Sequence, residues 1–143
     1  MVSKIATLPV QEHISVIHIA IKVGVKRFIP SEYWIDTSLL HISQFVPPAV
    51  HKQVAKYLKT KESSGLSWTA ICVGGFFDWA FQYPGLMGWN VPERKVAIFD
   101  IGDIEYEATN VDQIGRAVTN SLLSQHIEEM TNVYVYINSF TVS

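Results

Sequence analysis

Three short stretches of the sequence carry residue types that could bind a ligand or move a proton. GVKRFIPSEYW places Ser31, Glu32 and Tyr33 directly after a short apolar run that stops at Pro30. ICVGGFFDW contains paired glycines and three aromatic residues, and HKQVAKYLK contains Lys52. Hydroxyl, carboxyl and ammonium groups hydrogen-bond polar ligands and transfer protons in reactions. The chemistry therefore depends on whether the fold brings these stretches together.

The hydrophobic pattern predicts the elements that would position them. Apolar residues at helical spacing predict a helix from Val10 to Val23, with Gly24 as its stop. Residues 25–29 are predicted to form a strand that ends at Pro30, which has no amide to donate. A second helix is predicted from Pro47-Pro48 to about residue 63, followed by the apolar strand LSWTAICVGG. Strands that alternate with helices in this way indicate a parallel sheet with crossover helices.

Shorter elements are predicted in the second half of the chain. FFDWAFQYPGLMGWNVPERK, rich in aromatic residues, glycine and proline, is predicted to be a loop-dominated segment or lid. Val96–Phe99 and Ile104–Thr109 are predicted strands, the second with Ile104, Tyr106 and Ala108 on its buried face. TNVDQIGRAVTNSLL is a predicted helix capped by Asn110 or Asp112, and NVYVYIN is a predicted strand.

The predicted sheet gives two of the stretches a common location. In open parallel α/β sheets, ligands bind beyond the carboxyl ends of the strands. Residues 30–33 and 74–77 both follow predicted strand ends, so we expect them to share one crevice. The residues predict a site there without naming its ligand.

Composition limits the class of partner. The 143 residues are 48% apolar and carry a formal net charge of −2, with scattered basic residues, which favours one globular domain and argues against a nucleic acid partner. No stretch approaches the roughly 18 unbroken apolar residues of a membrane helix. The one cysteine, Cys72, is expected to be a buried thiol. We therefore expect a cytoplasmic protein with no membrane partner, and the histidine spacing predicts no metal site.

Four motifs then resemble a known family. AIKVGVKRFIPSEYW, HKQVAKYL, GLSWTAICVGGFFDW and YEATNVDQIGRAV, in this order over nearly the whole chain, resemble the NmrA-like and isoflavone reductase-like proteins, especially fungal ones. These proteins are atypical members of the short-chain dehydrogenase/reductase superfamily. The resemblance implies an α/β fold, a partial Rossmann-like parallel sheet with flanking helices plus part of a small substrate-binding subdomain. It places residues 1–75 in the Rossmann core and residues 76–143 mostly in the subdomain, with a returning helix and strand.

The resemblance also implies an activity and residue roles. It implies an NADP(H)-dependent oxidoreductase that transfers hydride to a small unsaturated or carbonyl substrate, with Lys52 as the catalytic residue. The alternative within the family is a regulatory protein that senses redox state by binding NAD(P) and a protein partner without catalysis. The residues implied for the cofactor are Pro30, Ser31, Glu32, Tyr33, Gly74 and Gly75, and those implied for the substrate are Phe76, Phe77 and Trp79.

Simpler roles for the same residues stay open. Lys52, Lys56 and Lys59 are spaced as a solvated stripe on a helix. Ser31 and Tyr33 could serve a local turn, since serine often does so. The aromatic residues could equally be packed against one another.

The chain departs from the family pattern in two respects. Trp34 stands where the family usually has glycine, and no G-x-G-x-x-G motif occurs in the sequence. MVSKIAT resembles the family's fourth strand, so the glycine-rich turn that binds the pyrophosphate is expected upstream of Met1. We therefore expect a fragment with weak NADPH affinity and little activity of its own, and an exposed sheet edge that favours self-association.

Overall fold

The computed structural model describes residues 1–4, 8–39, 48–98 and 101–142. Within these ranges the helices are α1 (Val10–Lys22), α2 (Pro48–Lys59), α3 (Phe77–Ala80) and α4 (Val111–Ser121). The strands are β1 (Arg27–Phe28), β2 (Ser67–Cys72), β3 (Gly75–Phe76), β4 (Trp89–Asn90), β5 (Lys95–Val96), β6 (Tyr106–Thr109), β7 (Val133–Tyr136) and β8 (Phe140–Val142).

The central sheet is parallel, with the strand order β1-β2-β7. Phe28 pairs with Trp68, and Ala70 pairs with Tyr134. Val2 forms a further parallel bridge with Ile29, so the first residues of the chain run beside β1. The predicted α/β class with a parallel sheet is therefore confirmed.

The two faces of this sheet bury different side chains, because successive strand residues point to opposite faces. Phe28 and Ala70 belong to a cluster formed with α1 and α2, whereas Ile29 and Ile71 belong to a cluster formed with α4. Burying one large apolar side chain is worth about 1.5–3 kcal/mol, so each face contributes substantially to stability. Helices cover both faces of the sheet, as in doubly wound folds.

The predicted helices and the stop of the first one are confirmed. α1 ends at Lys22, and Gly24 takes a positive φ of 78° just beyond it. Asn110 is the N-cap residue of α4, one of the two predicted, but its side chain makes no capping hydrogen bond. The Asp78 carboxylate instead accepts the Val111 amide at 3.1 and 3.2 Å, which stabilises the positive end of α4.

A second small sheet follows, in the order β3-β6-β8, and β4 and β5 form an antiparallel pair. The segment predicted as loop-dominated, residues 76–95, thus also contains α3 and most of this hairpin. Gly74, between β2 and β3, has φ of 65°, and an added Cβ would lie 2.2 Å from the Glu107 carbonyl oxygen. Glycine is required there because the β6 backbone passes so closely.

Two strand predictions need correction. β5 covers only Lys95–Val96, and Phe99 lies outside the described residues. Ile104 is 62% exposed, because β6 begins two residues later, whereas Thr109 is fully buried. The Thr109 hydroxyl donates to the Val73 carbonyl, which compensates its burial.

Candidate functional site

The loops that follow β1 and β2 are joined directly. The Trp34 carbonyl accepts hydrogen bonds from the Val73 and Gly74 amides, both at 3.0 Å. Tyr33 and Phe76 pack against the same buried cluster. The structure therefore brings together residues 30–34 and 73–76, two stretches that sequence reasoning placed in one crevice.

Trp34 does not disturb the backbone at this position. The non-glycine residues with positive φ in the described part of the chain are Met87, Arg94 and Asn132. Trp34 therefore takes a conformation open to any residue, and its side chain is 49% exposed. The family's glycine is not required here for backbone reasons.

The amino end of α2 contacts the first loop through Glu32. This residue is 3% exposed, and its carboxylate accepts a hydrogen bond from the Thr37 hydroxyl. Its other oxygen lies 3.9 Å from Nδ1 of His51, in the first turns of α2. This distance is too long for a hydrogen bond, so the contact is electrostatic. Three segments of the chain thus meet at Glu32.

Lys52 follows His51 and differs from the other lysines of α2. It is half-buried, whereas Lys56 and Lys59 are exposed. The Lys59 ammonium lies 5.8 Å from the ring centres of Trp68 and Tyr134. The solvated-stripe interpretation therefore describes Lys56 and Lys59 better than it describes Lys52.

Burial controls the electrostatics of the loop carboxyls. It raises the pKa of Glu32 to about 7, although hydrogen bonds from Thr37 oppose the shift. Burial alone would also raise the pKa of Asp36, but hydrogen bonds from Ser38 and Tyr136 outweigh it and lower that pKa. Two nearby carboxyls therefore differ in their affinity for protons.

Two buried polar atoms lack a hydrogen-bond partner among the described residues. They are the Tyr33 hydroxyl and Nε2 of His13. Burial raises the pKa of Tyr33 to about 12, so its hydroxyl is neutral and able to donate. Burial also lowers the pKa of His13. Unsatisfied buried groups are uncommon, which makes the Tyr33 hydroxyl a candidate ligand contact.

Gly75 is covered on one side by Met87. A Cβ at Gly75 would lie 2.2 Å from Cε of Met87, and Met87 itself has φ of 52°. A positive φ is uncommon for any residue other than glycine. A ligand contacting Gly75 from this side must displace the Met87 side chain.

The three aromatic residues predicted to face substrate divide into two groups. Phe76 contacts Trp79 with ring centres 5.9 Å apart, and Trp79 lies 4.6 Å from Tyr83. Trp79 is 40% exposed, so this row is accessible. Phe77 packs edge-to-face with Phe81 and Phe140 at 4.8 and 4.6 Å. For Phe77 the packing role is the one that its contacts support.

A separate cavity of about 270 Å³ lies between α4 and the strands β2 and β7. It is lined in part by Gln113, Arg116 and Asn120 and by none of the predicted site residues. The predicted site is therefore separate from this cavity. In the described ranges, no cluster of three histidine, cysteine or acidic residues could hold a metal ion, and no helix is long and apolar enough to cross a membrane.

Sequence reasoning missed the contact between Glu32 and His51. It considered the histidines only as possible metal ligands and assigned Glu32 to the cofactor through the resemblance. The available signal was the position of His51 beside Lys52 at the start of a predicted helix. Because Glu32 and His51 belong to different elements, spacing alone could not pair them.

A parallel sheet covered by helices on both faces, with polar residues beyond its strand ends, defines a Rossmann-like α/β fold. A solved structure of pinoresinol-lariciresinol and phenylcoumaran benzylic ether reductases matches with a TM-score of 0.72, 20% identity, 96% of this chain and 45% of that chain. AtPrR2, solved with NADP+ and (+)pinoresinol, matches with a TM-score of 0.71, 22% identity and the same coverage. These similarities show the fold.

The chain is also similar in sequence to a named oxidoreductase. "Oxidoreductase aprR" of Aspergillus flavus is 34% identical over 145 residues, covering 100% of this chain and 48% of that protein. No family model matches the chain. The predicted resemblance to the isoflavone reductase-like and NmrA-like proteins is confirmed by sequence relatives and by the solved reductases that share the fold. The chain spans about half the length of the Aspergillus flavus relative.

Proposed function

We propose that this chain provides the nicotinamide and substrate side of an NADP(H)-dependent reductase. The reaction is hydride transfer to a small unsaturated or carbonyl substrate. The observation that carries the proposal is the meeting of the two loops and the amino end of α2, through Trp34 and Glu32. In this proposal residues 1–75 form the Rossmann part and residues 76–143 mostly the substrate part.

The residues present fit one half of the cofactor. The unpaired, buried Tyr33 hydroxyl provides a donor, and Pro30, Ser31 and Gly74 lie on the same joined loops. The sequence has no glycine-rich turn for the pyrophosphate, so the fit concerns the nicotinamide side. NADP(H), when bound, supplies or accepts the hydride. The NADP+ bound to AtPrR2 supports this choice.

The chain's own groups have separate roles in this proposal. Lys52 donates from Nζ the proton that accompanies hydride transfer, and Tyr33 orients the ligand by a hydrogen bond. Phe76 and Trp79, in the accessible row of rings, stack on an unsaturated or aromatic substrate. Phe77 supports this row through its packing with Phe140.

The role of Lys52 is tested by turnover. NADPH oxidation with carbonyl and phenolic substrates is measured in the Aspergillus flavus relative, with alanine placed at the position equivalent to Lys52. We expect kcat to fall by about 10²–10⁴, the usual contribution of a positioned proton donor. Alanine at the equivalent of Lys56, an exposed lysine on the same helix, is the control and should leave kcat within about twofold. Unchanged turnover in the first variant would contradict the proposal.

The regulatory alternative from the sequence shares the nucleotide site with the reductase and differs in its chemistry. A redox-sensing protein needs nucleotide binding without turnover, so Lys52 would have no chemical role in it. NADP(H) binding by the wild-type relative without oxidation of any substrate would support this alternative.

A further inference from the structure

We propose that Glu32 and His51 form a positioning pair that fixes the amino end of α2, and with it Lys52, against the loop after β1. The pair spans the crevice from Oε2 of Glu32 to Nδ1 of His51. The role of Lys52 in the reaction rests on the proposed function. The contact between Glu32 and His51 does not, because it forms without a cofactor.

The environment of Glu32 favours such a partner when its carboxyl is ionised. Its side chain is 1% exposed and that of His51 is 12% exposed. A carboxylate removed from water is costly unless charge and hydrogen bonds compensate it. The Thr37 hydroxyl supplies one hydrogen bond. Within the described ranges, His51 is the basic side chain at ion-pair distance from this carboxyl.

The pair can respond to pH, and other titratable groups lie near it. Burial raises the pKa of Glu32 to about 7, and histidine is the side chain that ordinarily changes charge near neutral pH. Because Glu32 changes charge in this range, the attraction between its carboxyl and the His51 ring 3.9 Å away changes with pH as well. Within the described residues, the titratable neighbours include Asp36 in the same loop, His13 on α1, Cys72 on β2 and Tyr134 on β7.

The consequence for Lys52 follows from chain position. His51 and Lys52 are consecutive residues of α2, so holding one restricts the place of the other. The loop that holds Glu32 also carries Ser31 and Tyr33. The pair therefore sets the distance between the proposed proton donor and the proposed ligand contacts.

The test measures the accessibility of Lys52 in the 143-residue chain without nucleotide. Competitive acetylation by acetic anhydride is followed by mass spectrometry, and the rate at Lys52 is divided by the rate at Lys56. The ratio is recorded from about pH 6 to about pH 8, which brackets the pKa of Glu32. The variants are Glu32→Gln, His51→Gln and the double variant. Glu62→Gln is the matched control, since Glu62 accepts the indole N–H of Trp68 beyond the other end of α2.

In the wild type we expect the ratio to change with pH by at least about twofold, the lower range of measured couplings between contacting residues. Glu32→Gln and His51→Gln should each abolish this change, the double variant should match either one, and Glu62→Gln should behave as wild type. If Glu32 acted only through its shape and not its charge, Glu32→Gln would show the same change of the acetylation ratio with pH as the wild type.

The proposal is overturned if Glu32→Gln keeps the wild-type profile, or if the two single effects add in the double variant. If Glu32→Gln does not fold, the test relies on the wild type and His51→Gln. An acetylation ratio that does not change with pH in the wild type also overturns the proposal. Lack of NADPH turnover would refute the proposed function alone, since this measurement contains no nucleotide.

Discussion

At the scale of single residues, burial determines which polar groups at the site can act. Glu32 and Asp36 are four positions apart in one loop, yet the pKa of Glu32 is raised and that of Asp36 is lowered. Glu32 is surrounded by protein, whereas Asp36 receives hydrogen bonds from Ser38 and Tyr136. The sequence does not distinguish these two pKa values, because both residues are acids in the same polar stretch.

The raised pKa of Glu32 predicts a pH-dependent stability. The folded state binds its proton more tightly than the unfolded state does, because the pKa moves from 4.5 to about 7. Its contribution is therefore complete below pH 4.5 and is lost as pH rises through about 7. The loss is on the order of 3 kcal/mol, at 1.36 kcal/mol per pKa unit. Urea unfolding at a series of pH values measures it.

Glu32→Gln should remove this loss. Because burial lowers the pKa of His13, this residue makes the free energy of unfolding rise with pH. That rise is the same in the wild type and in Glu32→Gln. The difference between the two profiles therefore isolates Glu32. The same decline of unfolding free energy in Glu32→Gln would show that another group is responsible.

At the scale of elements, the long periodic segments were predictable and the short ones were not. α1, α2, α4, β2 and β7 have hydrophobic patterns long enough to identify them. β3 and β8 contain two and three residues, and each forms because it pairs with β6. A local sequence pattern does not indicate this pairing. Sequence reasoning likewise placed the two loops of the site together, but the approach of His51 to Glu32 depends on how α2 packs.

Arg27 joins β1 to the connection between α4 and β7. Its guanidinium donates to the carbonyls of Ser121, Ile127 and Met130 at 3.4, 2.6 and 3.1 Å. It also donates to the Thr69 hydroxyl at 3.3 Å. Arginine is suited to this role because its planar group carries five donors. The contact fixes the strand that leads into the site.

Arg27→Met is expected to lower the free energy of unfolding by about 2–4 kcal/mol. Methionine keeps much of the side-chain length but removes the guanidinium donors. The carbonyls of Met130 and Ile127 keep a threonine hydroxyl as donor, whereas the buried bonds to Ser121 and Thr69 are lost, at about 1–3 kcal/mol for each unsatisfied group. Arg116→Met is the control, because Arg116 pairs with Asp112 on the exposed face of α4. It should cost less than about 1 kcal/mol. Equal losses in urea unfolding would contradict the role of Arg27.

At the scale of the whole molecule, the sheet has open edges. β7 pairs with β2 on one side, and in the described ranges no strand pairs with its other side. On the opposite edge, Val2 bridges to Ile29 and is 44% exposed. Unpaired edges are templates for pairing with another chain.

We therefore expect the 143-residue chain to self-associate. Sedimentation velocity over a range of protein concentrations should show species larger than 16.1 kDa that increase with concentration. Val2→Lys places a charge on the open edge and should reduce them. A single species of monomer mass at every concentration would contradict this expectation.

The central claim is that the loops after β1 and β2 and the amino end of α2 form one nicotinamide site. Backbone amide NMR of the 143-residue chain, titrated with reduced nicotinamide mononucleotide, tests it most directly, because this ligand lacks the adenine half. We predict shifts that cluster at Ser31 to Tyr33, His51 to Lys52 and Gly74 to Phe76, with weak, saturable binding. Shifts confined to residues elsewhere, such as Gln113 and Asn120 of the α4 cavity, or no saturable shifts at all, would contradict the account.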